Sequence, residues 1–284
     1  MNDHNLIHEI ISVIMPFSFM EPQFMKQAFA GLMLLAPMTA MTGTQVVNFR
    51  MAFYADAISH TAFAGVAVGL LAGLSPYWTM PLFAVLIGIG IIAVKKRSTL
   101  SSDTVTGVFF TAIVAFGLAV ISRNPNLSRD MLRFLYGDIL SISGTDIYCL
   151  AILFIVLLVF QFLSYNKLLY WGLHPVLAKV HNVNAGIYQY IHAVLLAMII
   201  IFSVWWVGVL LATGMLIIPS AAARNFVNSS AGMFWWSIVI SLSSALAGFV
   251  ISAQQWANTA TGATVILAAF CWFAVSIIIK NIRK

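Results

Sequence analysis

The chain has 284 residues, of which 62% are hydrophobic and 8% charged, with a mean hydropathy of +0.99. A soluble domain is about one quarter charged, so this composition excludes an ordinary soluble fold and predicts an all-α, polytopic integral membrane helical bundle of about eight to nine transmembrane helices. The formal charge of +6 does not point to nucleic acid, because the basic residues sit between apolar runs, where orientation signals lie.

In chain order, residues 1–24 read as an extramembrane or interfacial segment. Asp3, His4, His8 and Glu9 replace the basic start of a cleavable signal, and Pro16 interrupts the short apolar run that follows. The transmembrane domain is placed at 25–280, with a cytoplasmic tail at 281–284. Its first span is predicted at 27–47, where Pro37 and Gly43 are expected to kink or loosen the helix. The second runs to residue 73 and carries Asp56 and His60 near its start. Residues four apart share a helix face, and a carboxylate beside an imidazole can hold a borderline divalent metal. The same spacing equally suits a pair that anchors a helix end at the interface. Gly65, Gly69 and Gly73 form a small-residue stripe for close packing.

The turn at 74–77 leads to a third span at 78–94, closed by Lys95, Lys96 and Arg97. A fourth span follows at 103–121. The polar stretch 122–146 reads as a short amphipathic surface helix or a re-entrant segment, with Asp138 as a helix cap or a docking residue. A fifth, short span at 147–163 is followed by an extramembrane stretch at 165–186. Further spans are predicted at 187–204, 207–223, 233–251 and 262–279. Trp205 and Trp206 are expected to mark an interface, and Pro219 to break or bend the seventh span. His192, inside the sixth, reads as a packing residue in preference to a pathway ligand.

Nine spans place the N-terminus outside and the C-terminus inside. Arg50, Lys95, Lys96, Arg97, Lys167, Lys179, Arg224, Lys280, Arg283 and Lys284 then face the cytoplasm, and Lys26, Arg123, Arg129 and Arg133 do not. Ten against four follows the positive-inside rule. Cys149 and Cys271 form no paired motif. No G-x-x-x-x-G-K-[ST] loop is present, so any ATP must be bound by a separate subunit, and the chain carries no catalytic centre of its own. A secondary transporter lacks support, because no inverted repeat is visible. An intramembrane hydrolase lacks an H-E-x-x-H or G-x-S-x-G set.

Five segments in order carry a family resemblance. They are Val47-Asn-Phe-Arg-Met-Ala-Phe-Tyr-Ala-Asp-Ala-Ile-Ser-His-Thr-Ala-Phe-Ala-Gly-Val-Ala, Asp103-Thr-Val-Thr-Gly-Val-Phe-Phe-Thr, Leu135-Tyr-Gly-Asp-Ile-Leu-Ser-Ile-Ser-Gly-Thr-Asp, Val207-Gly-Val-Leu-Leu-Ala-Thr-Gly-Met-Leu-Ile-Ile-Pro-Ser-Ala-Ala-Ala-Arg and Gly262-Ala-Thr-Val-Ile-Leu. Over about 24–279 the chain resembles the permease subunits of bacterial ABC importers for zinc, manganese and iron, the zinc branch most of all.

The resemblance implies a homodimeric permease in the bacterial cytoplasmic (inner) membrane. Its implied partners are cytoplasmic ABC ATPase subunits and an extracytoplasmic metal-binding protein. It implies that Asp56 and His60 line the pathway. It also implies that a coupling helix at His174, Pro175, Val176, Leu177, Ala178 and Lys179 docks on the ATPase. The expected cargo is zinc, with manganese and ferrous iron as alternatives, and no permanently bound cofactor is expected. Trp206 departs from the family pattern, which often has a basic residue there.

Overall fold

The structure is a computed structural model that describes residues 20–122, 139, 142–173, 185–254, 256–257 and 259–282. The amphipathic segment, with Asp138, and the coupling residues 174–179 therefore lie outside the described residues. So do His4, His8 and His181.

Hydropathy dictates the architecture. Among the described residues, nine helices are long and apolar enough to cross a membrane. They are α1 (Gln23–Asn48), α2 (Ala52–Leu71), α3 (Pro76–Arg97), α4 (Ser102–Ser122), α5 (Gly144–Leu173), α6 (Ala185–Val207), α7 (Val209–Phe226), α8 (Ser230–Ser252) and α9 (Thr261–Ile282). The shortest, α7, has 18 residues, or about 27 Å at 1.5 Å per residue, close to a hydrocarbon core. All nine predicted spans are present. The fifth is much longer than expected: α5 continues through Tyr165, Asn166 and Lys167, whose polarity ends the hydropathy signal but not the helix. Met20, in the segment expected to be extramembrane or interfacial, packs into the core cluster.

The bundle is built around α1, which packs against α5, α7 and α8. Pro37 does not interrupt it. Nearby hydroxyls take up backbone carbonyls: Thr39 donates to Leu35 at 2.9 Å, and Ser241 of α8 donates to the Ala36 carbonyl at 2.7 Å.

Glycines set three of the closest approaches. A methyl on Gly43 would fall on the Leu216 carbonyl of α7, and one on Gly248 would fall on the Val265 backbone of α9. Gly65 meets the Met80 backbone of α3, where an added methyl carbon would lie 2.7 Å from Cα. Thr79 fixes the same contact by donating to the Gly65 carbonyl at 2.8 Å, and its hydroxyl also fills the space beside Gly69. The expected stripe stops there. A methyl at Gly73 would meet no neighbour, and its φ of +66° ends the chain's second helix in the left-handed conformation glycine favours.

Two other expectations change. Trp206 does not sit at an interface; it is 1% exposed and stacks on Phe202 at 5.5 Å. Pro219 does not break α7, which runs on to Phe226 with Pro219 buried. The break falls earlier, at Gly208, whose φ of +86° separates α6 from α7.

Basic side chains gather at one end of the bundle. Lys96 donates to the Gly186 carbonyl at the start of α6, and Lys167 donates to Tyr188 at 2.6 Å. Lys280 donates to Asn225 at the end of α7 at 3.0 Å.

Candidate functional site

Nothing about α2 is strongly amphipathic; it is rich in alanine and glycine and mostly buried. Its ionisable groups therefore stand out. Asp56 and His60 lie one turn apart, with His60 Nε2 4.0 Å from an Asp56 carboxylate oxygen. That distance is too long for a hydrogen bond. Their side chains are 41% and 25% exposed respectively, so both keep free donor atoms. His60 is held in place by aromatic rings, Phe110 edge-on at 5.1 Å and Phe63 at 5.7 Å. The Ser59 hydroxyl bonds to the Asp56 backbone carbonyl at 2.7 Å and leaves the carboxylate alone.

The pair opens onto a cavity of about 500 Å³. Its other walls come from the α6–α7 break, with Val207, Leu210 and Thr213, and from the start of α9, with Ala260 and Gly262. Among the described residues, Asp56 and His60 are the only ionisable side chains on this lining. Among the described residues no group of three His, Cys, Asp or Glu side chains is placed to hold a metal. One subunit thus offers a cation two donor side chains, an incomplete shell by the standard of a closed four-ligand site.

His192 has a different setting. It is 2% exposed, edge-on to Phe49 at 6.0 Å and stacked with Phe160 at 6.5 Å. Among the described residues, neither ring nitrogen has a hydrogen-bond partner. A second cavity, of about 420 Å³, lies between α5 and α8 and is lined by Gln161, Tyr165, Phe162 and Trp235 among others, with no carboxylate, imidazole or thiol among the described residues.

Sequence reasoning placed Asp56 and His60 on one face, and the structure brings them to one cavity. It missed Thr213 and the Gly208 break. The available signal was a glycine between two apolar runs, in the segment that begins at Val207.

The pattern of the ABC 3 transport family matches residues 21–280. The chain belongs to that family. It is 30% identical over 243 residues to the high-affinity zinc uptake system membrane protein ZnuB of Haemophilus influenzae, covering 86% of this chain and 92% of the relative. It is 26% identical over 263 residues to the manganese transport system membrane protein MntC of Listeria monocytogenes, covering 93% and 91%. Its fold is similar to PsaBC from Streptococcus pneumoniae in complex with Fab, with a TM-score of 0.77, 27% identity and 95% coverage of each chain. ABC 3 membership and nine hydrophobic helices make this a multi-pass protein of the bacterial inner membrane and a membrane subunit of an ABC transport system.

Proposed function

We propose that this chain is the permease of an ATP-driven importer of a divalent transition metal, and that two copies form one pathway lined by Asp56 and His60. The carrying observation is that, among the described residues, these two side chains alone bring ionisable donors to the large cavity between α2, α7 and α9. Two copies related by a twofold axis double the donor set. A pair from each is weak enough for the ion to leave, which transport requires.

Relatives named for manganese and for zinc both match along most of their length, so zinc does not stand ahead of manganese. Several of these relatives are manganese systems, which supports Mn²⁺ as the first cargo. Zinc is the second reading, supported by the relative at 30% identity. Ferrous iron, which the same donors suit, is the third.

The basic end, with Lys96, Lys167 and Lys280, is the cytoplasmic one by the positive-inside rule. Residues 174–183 dock there on the ATPase, inside a coupling region at 165–186, and an extracytoplasmic binding protein delivers the metal at the other end. Gly65 and Gly69 lock α2 to α3, and Pro219 packs α7 into the core.

Proteoliposomes carrying the permease, its ATPase and its binding protein test this reading. ATP-dependent accumulation of Mn²⁺, Zn²⁺ or Fe²⁺ is the expected result, and the order of rates assigns the cargo. An assembled complex that accumulates none of them overturns it. Val176→Asp with Leu177→Asp is expected to uncouple ATP hydrolysis from uptake or to prevent assembly. Unchanged coupling in that double variant overturns the docking assignment.

A further inference from the structure

The backbone next to Asp56 and His60 carries an oxygen of its own. The last four carbonyls of any helix lack partners within it. At the end of α6 one of them is used, because the Gly208 amide donates to the Val204 carbonyl at 3.0 Å. The helix then breaks at Gly208, and the first bond of α7 runs from Ala212 to the Gly208 carbonyl at 3.2 Å. That bond starts α7 one residue past Val207, which lines the cavity.

Across the same cavity wall lies Gly262, in the first turn of α9. A methyl carbon at Gly262 would sit 3.5 Å from the Val207 carbonyl oxygen, in ordinary contact. With glycine there, nothing from that side chain covers the oxygen. Broken membrane helices present carbonyls to cations in this way.

We propose that the Val207 carbonyl, freed by the break at Gly208 and left uncovered by Gly262, is a further donor to the transported cation and shifts the pathway's preference toward Mn²⁺ over Zn²⁺. This rests on the metal-permease reading above. Carbonyl and carboxylate oxygens suit Mn²⁺, whereas imidazole suits Zn²⁺. Adding one neutral oxygen to an Asp–His pair therefore favours the harder ion. First-turn N–H groups of α7 and α9 border the same cavity and oppose a cation, which keeps the site weak enough to release its cargo.

The test uses the complete transporter in proteoliposomes, with Mn²⁺ and Zn²⁺ uptake measured separately in the wild type, Gly262→Ala and Gly262→Ser. The alanine methyl covers the carbonyl without a clash, and the serine supplies a replacement oxygen of nearly the same size. Gly262→Ala is expected to raise KM for Mn²⁺ about tenfold, the lower end of what second-shell changes do to metal affinity. KM for Zn²⁺ changes much less, and Gly262→Ser recovers most of the Mn²⁺ affinity. An unchanged ratio of Mn²⁺ to Zn²⁺ uptake in Gly262→Ala, or equal losses in the alanine and serine variants, overturns the proposal. Asp56→Ala, run in parallel, separates the two failures: if it too leaves uptake intact, the pathway assignment itself falls.

Discussion

His60 and His192 are both imidazoles within apolar spans, one helix turn or more from either end. His60 shares its face with a carboxylate and opens onto a cavity of about 500 Å³. His192 is closed in by Phe49 and Phe160, and neither of its ring nitrogens finds a partner among the described residues. Spacing along the chain does not separate the two cases; access and a second donor do. A buried imidazole without partners can pack, but it cannot exchange a metal with water. A partly exposed one beside a carboxylate can do both.

The largest effects are expected at the open pair. Asp56→Ala and His60→Ala should each lower metal uptake by about 10- to 100-fold while the complex still assembles, as loss of a metal-positioning group does elsewhere. Uptake in proteoliposomes, with size-exclusion profiles as the control, decides this. Normal uptake by an assembled variant would remove that residue from the pathway.

A smaller effect is expected from pH. Imidazole binds metal only when neutral, so protons compete with the cargo and uptake should fall as the pH drops through the imidazole range. His60→Ala should flatten the fall in whatever uptake remains, and His192→Leu should leave it in place. A pH profile unaltered by His60→Ala would assign the proton sensitivity to another group. The smallest effect is expected for His192→Leu, which keeps an apolar side chain between the two rings and removes two unpartnered nitrogens. Uptake should stay within about twofold of the wild type, and thermal stability should hold or rise. A loss as large as that of His60→Ala would erase the contrast between the two histidines.

The spans were legible because hydropathy over about 20 residues is a strong signal and a bilayer fixes the length of each helix. Their ends were less so. Tyr165, Asn166 and Lys167 read as part of a separate extramembrane stretch by polarity, yet α5 carries them to the basic end, where Lys167 donates to Tyr188. Trp206 misled because tryptophan is common at membrane interfaces, while this one fills the core beside Phe202. Gly73 misled because a four-residue spacing looks the same whether a glycine packs or ends a helix. At the candidate site, Asp56 and His60 carried a chemical signature. The opposite wall did not: Leu210, Thr213 and Ala260 look like any apolar span, and a backbone carbonyl has no letter in the sequence.

The close approach at Gly43 has a mechanical consequence. With the Leu216 carbonyl seated where a side chain would be, α1 and α7 have no slack to slide past one another. The same holds for α8 and α9 at Gly248, and for α2 and α3 at Gly65. A cycle that widens and narrows the cavity is then expected to move the two helices of each pair together.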